Sequence, residues 1–361
     1  MISTIGVLTG GGDCPGLNAV IRAVVKTAIG KYGIKVIGFK DGYRGLVLDE
    51  CREIKMEDVS GILDRGGTIL GTSNKDNPFK YVVTSKEEIE YRDMSDTCIQ
   101  NLVEHGIDCL ITIGGDGTLT SARDFSRKGL NVIGVPKTID NDLSATDVTF
   151  GFNTAVTTAT EALDKLHTTA ESHHRVMILE VMGRYAGWIA LESGIAGGAD
   201  VIIIPEIPYD INKICEKIID RKTKGKNFSI IVVAEGAKPV DGDVVVAKVM
   251  SNSPDPIRLG GIGNRLADQI EKNIGFETRV TVLGHLQRGG QPTPYDRILS
   301  TRYGAKAVEL AVEGKFGTMV SLRGAEITEV TLEEAVGKLK QVPAEHDLIK
   351  TGRKMGLCFG E

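Results

Sequence analysis

The chain has a single tryptophan, aromatic residues make up only 5% of it, and the net charge is −5. That scarcity excludes a broad surface for stacking bases or following a nucleic-acid backbone, while leaving room for a local basic pocket that holds small phosphates. No apolar run approaches the ~18 residues of a membrane span. Met1 leads almost directly into a strand-like stretch without a basic-then-apolar leader. The six cysteines (Cys14, Cys51, Cys98, Cys109, Cys215 and Cys358) include no CxxC pair, which points to free thiols in a reducing compartment, the cytoplasm. There is no short-period repeat and no low-complexity segment. What remains is 361 residues with 41% apolar and 25% charged content, enough for roughly two globular domains.

Strand-like and helix-like stretches alternate, which predicts an α/β chain whose parallel sheets carry helices on both faces. The strands expected in a first unit are Ile5–Thr9, Lys35–Phe39, Cys109–Ile113 and Asn131–Val135. A helix follows from about Asn153 to Thr168, with Val156, Ala159, Leu163 and Leu166 on one stripe. A second unit is expected from Val176–Val181, a helix through Trp188 and Leu191, Val201–Ile204 and Ile230–Ala234. The basic run 221–227 reads as a solvated helix end and loop. Thr331 and Glu334 form a capping-box pattern for a late helix.

The densest chemistry lies in PKTIDND (136–142). Pro136 ends an apolar strand, and Thr138, Asp140 and Asp142 follow at alternate positions, so an extended segment places all three on one face. Carboxylates beside a hydroxyl and Lys137 suit a base acting on an alcohol next to a bound metal ion. An Asx-rich turn bonding its own backbone is the other reading. A second strand, Ile107 to Ile113, runs into GGDGT (114–118). Glycines around one acid let a backbone approach phosphates closely, and a helix expected to start near Leu119 would offer free amides. An ordinary turn would have the same composition. A third glycine loop, Thr9 to Gly16, follows the first strand and lacks the Gly-Lys-Ser/Thr ending of a P-loop.

Cations sit at the ends of the second unit's elements. Arg175 precedes a strand and Arg184 follows Met182 and Gly183 at its end, while Arg279, His285 and Arg288 gather around GHLQRGG (284–290). Arginine's planar fork matches phosphate oxygens, and Glu235 at a strand end can accept hydrogen bonds from sugar hydroxyls. Taken singly, each arginine reads more readily as a surface ion pair than as a phosphate ligand.

The set TGGGDCPGLNAVIR (9–22), GGDGT, PKTIDND, EVMGRYAG (180–187) and GHLQRGG resembles the 6-phosphofructokinase family, in that family's order, from Ile5 to about Ala307. Lipid and NAD kinases share GGDGT but not the other elements together. The resemblance implies two Rossmann-like, three-layer α/β domains with mainly parallel sheets. It places a nucleotide- and magnesium-binding domain at 1–150, completed by about 286–335. A sugar-phosphate-binding domain follows at 151–285, with the segment that starts at Arg279–Leu283 returning to the first unit, and 336–361 is a C-terminal extension. It implies transfer of a phosphoryl group from MgATP to the 1-hydroxyl of fructose 6-phosphate, the committed step of glycolysis, with pyrophosphate as the alternative donor.

Site residues carry over position by position. Asp140 is the implied base, with Thr138 and Arg184 stabilising the transferring group. Thr138, Ile139, Asp140, Arg175, Met182, Gly183, Arg184, Glu235, Arg279, His285, Leu286, Gln287 and Arg288 would bind the sugar phosphate. Gly12, Tyr43, Asn74, Lys75, Gly115, Asp116, Gly117 and Thr118 would bind ATP, and Asp116 with Asp142 would hold Mg²⁺. Arg175 and Arg279 match family residues that reach across a subunit interface, which implies a homodimer or homotetramer.

Donor choice rests on Gly117, which leaves room for an α-phosphate, against Lys137, which suits a bare diphosphate. This pairing resembles the mixed-substrate subgroup. Shorter bacterial relatives carry an arginine after the GGTxLG turn, where this chain has Asn74 and Lys75. Lys26 and His167 replace effector-site arginines, so no allosteric control carries over. Stretches 81–98 and 245–263 and the last ~30 residues are insertions relative to those shorter relatives. Two other classes stay open at this stage. A dehydrogenase would use the first glycine loop with Asp41 as ribose acid, and a non-catalytic sugar-phosphate sensor would be expected to lose Asp116 or Asp140.

Overall fold

The computed structural model describes residues 2–84, 89–249 and 257–361. In chain order it begins with β1 (Thr4–Thr9), α1 (Leu17–Tyr32), β2 (Lys35–Phe39), α2 (Tyr43–Leu48), β3 (Cys51–Glu53), β4 (Tyr81–Thr84) and β5 (Ile89–Arg92). Next come α3 (Ser95–Glu104), β6 (Cys109–Gly114), α4 (Asp116–Arg127), β7 (Val132–Pro136), α5 (Phe152–His173) and β8 (Val176–Val181). The chain continues through α6 (Trp188–Ala196), β9 (Val201–Ile203), α7 (Ile211–Thr223), β10 (Ser229–Ala234), β11 (Val246–Val249), β12 (Ile257–Leu259), α8 (Ile262–Ile274) and β13 (Thr278–Val282). It ends with α9 (Pro294–Val312), β14 (Thr318–Arg323), β15 (Glu326–Thr331), α10 (Leu332–Ala335) and α11 (Asp347–Lys354).

These elements form two compact units, one of Met1–Ile139, Leu143–Asn153 and Arg288–Lys338, the other of Asp140–Asp142, Thr154–Gln287 and Leu339–Glu361. The first holds a seven-stranded sheet in the order β15-β14-β7-β6-β1-β2-β3. Its inner strands pair in parallel, with β3 and β15 antiparallel at the two edges. β1 and β6 are buried along their whole length, as expected of parallel strands covered on both faces. Helix α1 packs on α9, where Gly304 lets the backbones meet: a Cβ there would lie 2.6 Å from the Val20 carbonyl oxygen.

The second unit holds an all-parallel sheet, β13-β8-β10-β9. Its core joins Ile178, Val201, Ile203, Ile231 and Val233 of the sheet to Ile214, Ile218, Leu266 and Ile270 of α7 and α8. The α/β class and the parallel sheets are as the sequence predicts.

Three local expectations are corrected. Helix α4 starts at Asp116 rather than near Leu119, because Gly115 takes an extended conformation as its N-cap and an acid in the first turn favours the helix dipole. Arg279 lies in a strand of the second sheet, β13, paired in register with β8, and the chain rejoins the first unit only at Arg288. Arg221 is not solvated: it pairs with Asp200 at 2.5 Å, both side chains being largely buried. The capping box at Thr331 and Glu334 is present, opening the short α10.

Of the expected insertions, 81–98 forms the β4/β5 hairpin and the start of α3, and 245–263 forms the β11/β12 hairpin. Residues 85–88 and 250–256 of these stretches lie outside the described residues. Among the described residues no helix is long and apolar enough to cross a membrane.

Candidate active site

In the first unit the glycine loops emerge from the same end of adjacent strands. Thr9 stands opposite Ile113, and Gly114 opposite Pro136, so the loops after β1, β6 and β7 start level with one another. The strand order turns between β1 and β6, the kind of switch point where α/β sheets bind ligands.

The loop after β1 is laced to the segment 65–75. Gly11 N–H donates to Ser73 O at 2.9 Å, Thr72 Oγ1 to Gly11 O at 2.7 Å, and Thr9 Oγ1 to Gly71 O at 2.7 Å. From α1, fully buried Asn18 donates to the carbonyls of Arg65 and Gly66 and accepts from Ile69 N–H. Nothing local in the sequence marks Asn18 for that role. Asn74 and Lys75 lie exposed at the tip of this segment. A Cβ on Gly12 would lie 2.5 Å from Arg288 Nη1, which also donates to Asp13 O, so the guanidinium rests directly on this loop. Arg288, expected on the sugar phosphate, is thus placed by the structure against the glycine loop of the first unit.

Gly115 caps α4, and Asp116, Gly117 and Thr118 make its first turn. Asp116 Oδ1 accepts the Gly337 amide at 3.0 Å, which fixes the direction of the carboxylate. A Cβ on Gly117 would meet nothing within 4 Å. Tyr43, expected on the nucleotide, is 4% exposed, and its hydroxyl donates to the Thr118 carbonyl at 3.0 Å. Any contribution it makes to nucleotide binding therefore runs through this loop. Lys137 is also buried, and its ammonium donates to the Gly12 carbonyl. Cys14, beneath the same loop, has its thiol pushed up to about 12 by burial, which leaves it without nucleophilic character at neutral pH.

The acid-bearing segment departs from the extended form. The chain bends at Ile139 and Asp140, and Asn141 is left-handed with φ 52°. Alternation survives the bend: Ile139 and Asn141 are buried, while Thr138, Asp140 and Asp142 are partly exposed. Thr149 Oγ1 holds the Thr138 carbonyl at 2.7 Å.

In the second unit the ends of β8, β10 and β13 are level, Val181 opposite Ala234 and Glu180 opposite Val282. Gly183 has φ 135°, and Gly236 N–H donates to its carbonyl, so the Met182–Arg184 turn is fixed against the turn containing Glu235. Gln287, fully buried, accepts from Met182 N–H and donates to Gly284 O. It therefore ties two expected substrate segments together, while His285 and Leu286 beside it are exposed. Arg175 and Arg279 both pair with Glu277, Arg175 at 2.8 Å. Those bonds, Arg175's first, hold the Glu277 carboxyl below its usual range.

A strap from the C-terminal segment also reaches this end. Lys340 N–H donates to the Asp142 carbonyl at 2.8 Å, and Gln341 Nε2 to the Tyr185 carbonyl at 3.2 Å. Trp188 Nε1 donates to Lys340 O at 2.8 Å. Glu206 accepts both Val342 N–H at 2.8 Å and Gly187 N–H at 3.0 Å, with its carboxyl raised by burial. Nothing local in the sequence marks Glu206 or the strap as part of the site.

The phosphofructokinase family model matches residues 4–311. The chain belongs to the phosphofructokinase family. It is 64% identical to the ATP-dependent 6-phosphofructokinase 2 of Clostridium perfringens over 100% of this chain and 99% of that one. It is 51% identical to a pyrophosphate–fructose 6-phosphate 1-phosphotransferase of Amycolatopsis methanolica, over 94% of this chain and 96% of that one. Among solved structures, phosphofructokinase from Saccharomyces cerevisiae superposes on 92% of this chain with a TM-score of 0.78 and 33% identity. The chain spans only 45% of that longer yeast chain. Family membership removes the dehydrogenase reading, and Asp41, its candidate ribose acid, is instead paired with Arg44 at 3.2 Å.

Proposed function

We propose that this phosphofructokinase transfers the terminal phosphoryl group of ATP to the 1-hydroxyl of fructose 6-phosphate, giving fructose 1,6-bisphosphate for glycolysis. The observation that carries the donor choice is the open space at Gly117 in the first turn of α4, where an amide-rich helix end can accept an α-phosphate. A full-length relative at 64% identity named as ATP-dependent supports the same donor. Pyrophosphate is the second reading, favoured by Lys137 and by the relative of that specificity at 51% identity. Parallel assays with ATP and with pyrophosphate test the choice, and turnover with pyrophosphate alone would overturn it.

In this reading the first unit binds the donor through Gly12, Asn74, Lys75 and the Gly115–Thr118 turn, with Tyr43 and Lys137 holding those loops in place. The second unit binds the sugar phosphate through Arg175, Met182, Gly183, Arg184, Glu235, Arg279, His285 and Leu286, with Gln287 fixing two of their turns. Arg288 supports the glycine loop and offers its remaining N–H groups to phosphate. Thr138, Ile139 and Asp140 bind at the reacting end. Asp140 takes the proton from the 1-hydroxyl as that oxygen attacks phosphorus, and Thr138 and Arg184 stabilise charge on the transferring group.

Asp116, joined by Asp142, would hold Mg²⁺: carboxylate oxygens are the donors it takes, and the Gly337 amide holds Asp116 in one direction. When bound, the ion would neutralise charge on the phosphate oxygens. Arg175 and Arg279, held as a pair by Glu277, are read as the residues a partner subunit shares in a cytoplasmic homodimer or homotetramer.

A further inference from the structure

At the edge of the first unit's sheet three different donor atoms converge. Asp49 ends α2 in a left-handed conformation with φ 57°, Cys51 opens the edge strand β3, and His105 ends α3. His105 Nε2 lies 2.7 Å from Asp49 Oδ1 and 3.3 Å from Cys51 Sγ, and all three donor atoms fall within 4.8 Å of one another. Asn101 donates to the Leu46 carbonyl at 2.8 Å and so ties α3 to α2, which makes the two helix ends that carry Asp49 and His105 one scaffold.

The two contacts use the same ring nitrogen. A relay that activated the thiol would place thiol and carboxylate on opposite nitrogens of the imidazole. One nitrogen carries either a single proton or a single lone pair, so it cannot donate to Asp49 and accept from Cys51 at once. A cation between the three atoms satisfies all of them together.

We propose that Asp49, Cys51 and His105 bind a zinc-class divalent ion at a site distinct from the magnesium carboxylates. Thiolate and imidazole select zinc or cobalt over magnesium, which prefers oxygen donors. A tetrahedral ion with Zn–S about 2.3 Å and Zn–N about 2.0–2.1 Å spaces its donors roughly 3.3–3.6 Å apart, so the Cys51 contact needs to open by up to ~0.3 Å and the Asp49 contact by ~0.6 Å, within reach of rotation of an exposed carboxylate. Asp49 is exposed while Cys51 and His105 are half-buried, which leaves a side open to water for the fourth position. Binding releases the Cys51 thiol proton to solvent.

Cobalt is the probe, titrated into the full-length protein with magnesium in excess. One equivalent should produce a thiolate-to-cobalt charge-transfer band and the intense visible absorption of a tetrahedral ion, both displaced by zinc. The band should disappear in Cys51→Ser and persist in Cys358→Ser. His105→Gln should weaken binding by ~100-fold and Asp49→Asn by ~10-fold, the asparagine being chosen because it tolerates the left-handed backbone. Circular dichroism verifies that each variant is folded, and if Cys51→Ser is not, the His105 and Asp49 variants decide. The absence of any thiolate band in the wild type, or a band of unchanged affinity in folded His105→Gln and Asp49→Asn, would overturn the proposal.

Discussion

On the reading proposed above, the two units build their halves of the chemistry from different materials. The first presents backbone: glycine loops at the ends of β1 and β6, laced to 65–75 by main-chain and hydroxyl hydrogen bonds, with Asn18, Tyr43 and Lys137 acting from behind. The second presents charged side chains: Arg175 and Arg279 share Glu277, and Arg184 and Glu235 stand on turns fixed by Gly183 and Gly236. A phosphate chain of a donor is long and uniform, so amides at a helix end can grip it without identifying it. A sugar phosphate must be recognised by hydroxyl pattern and one charged end, which needs side chains of defined length. If this division is right, substitutions in one unit should alter one substrate's kinetics and leave the other's alone.

The largest expected effect falls on the segment where the chain passes between the units. Asp140→Asn should cut turnover by roughly 10²–10⁴-fold while fructose 6-phosphate binding stays within a few-fold. Near-normal turnover in single-turnover kinetics would remove Asp140 as the base. Gly117→Asp comes next. The added side chain enters open space, and an acid in the first turn of α4 suits the helix dipole, so the melting temperature should hold. Like-charge repulsion should still lower kcat/KM for ATP by ~10²-fold or more, with fructose 6-phosphate binding little changed. The neutral Gly117→Asn separates repulsion from bulk, and an equal loss there would rule out the charge argument.

Arg175→Ala and Arg279→Ala should each weaken fructose 6-phosphate binding by about 10–100-fold, the scale of a lost charged hydrogen bond, and leave the KM for ATP nearly unmoved. Mixing the two variants should recover some activity if subunits exchange. A fully active monomer in sedimentation would end the shared-site reading. Glu206→Met probes the strap and should act more mildly. Its side chain accepts from neither of the two N–H groups that Oε1 of the carboxylate serves, so kcat/KM for fructose 6-phosphate should fall several-fold through lost positioning of the strap. An unchanged value would show that the strap is structural only.

Legibility in the sequence divides along the same line as the materials. Strands β1, β2, β6, β7, β8 and β10 were readable because buried parallel strands are nearly continuous apolar runs. The glycine loops were readable because close backbone approach demands a residue type: a Cβ on Gly10 would lie 2.6 Å from Thr118 Oγ1. The start of α4 was misplaced because Gly115, Asp116 and Gly117 have turn chemistry, and only the dipole and the cap make them helical. The extended form expected of Thr138–Asp142 failed at Asn141, whose left-handed backbone any local pattern treats as a turn option. Asn18, Gln287 and Glu206 act across long sequence separations, on Arg65–Ile69, Met182 and Val342, and no local spacing encodes such partners.

The smallest effect tests whether residues behind the donor loops act through them. Tyr43 is buried, its ring packs 5.9 Å from Phe125, and burial raises its hydroxyl well above the usual range, so it stays protonated as a donor throughout the working pH. That donor meets the carbonyl of Thr118, at the end of the turn read as gripping the nucleotide. Tyr43→Phe keeps the ring and removes the bond, at a cost of about 1–3 kcal/mol if the carbonyl is left unpaired. The loss should appear partly as a lower melting temperature and partly as a KM for ATP raised about 3–5-fold, as expected for ~1 kcal/mol of lost loop positioning, with fructose 6-phosphate kinetics unaltered. A variant that melts earlier with both substrates' kinetics unchanged would show that Tyr43 serves the core alone. A rise in the fructose 6-phosphate KM would show instead that the two halves are less separable than their materials suggest.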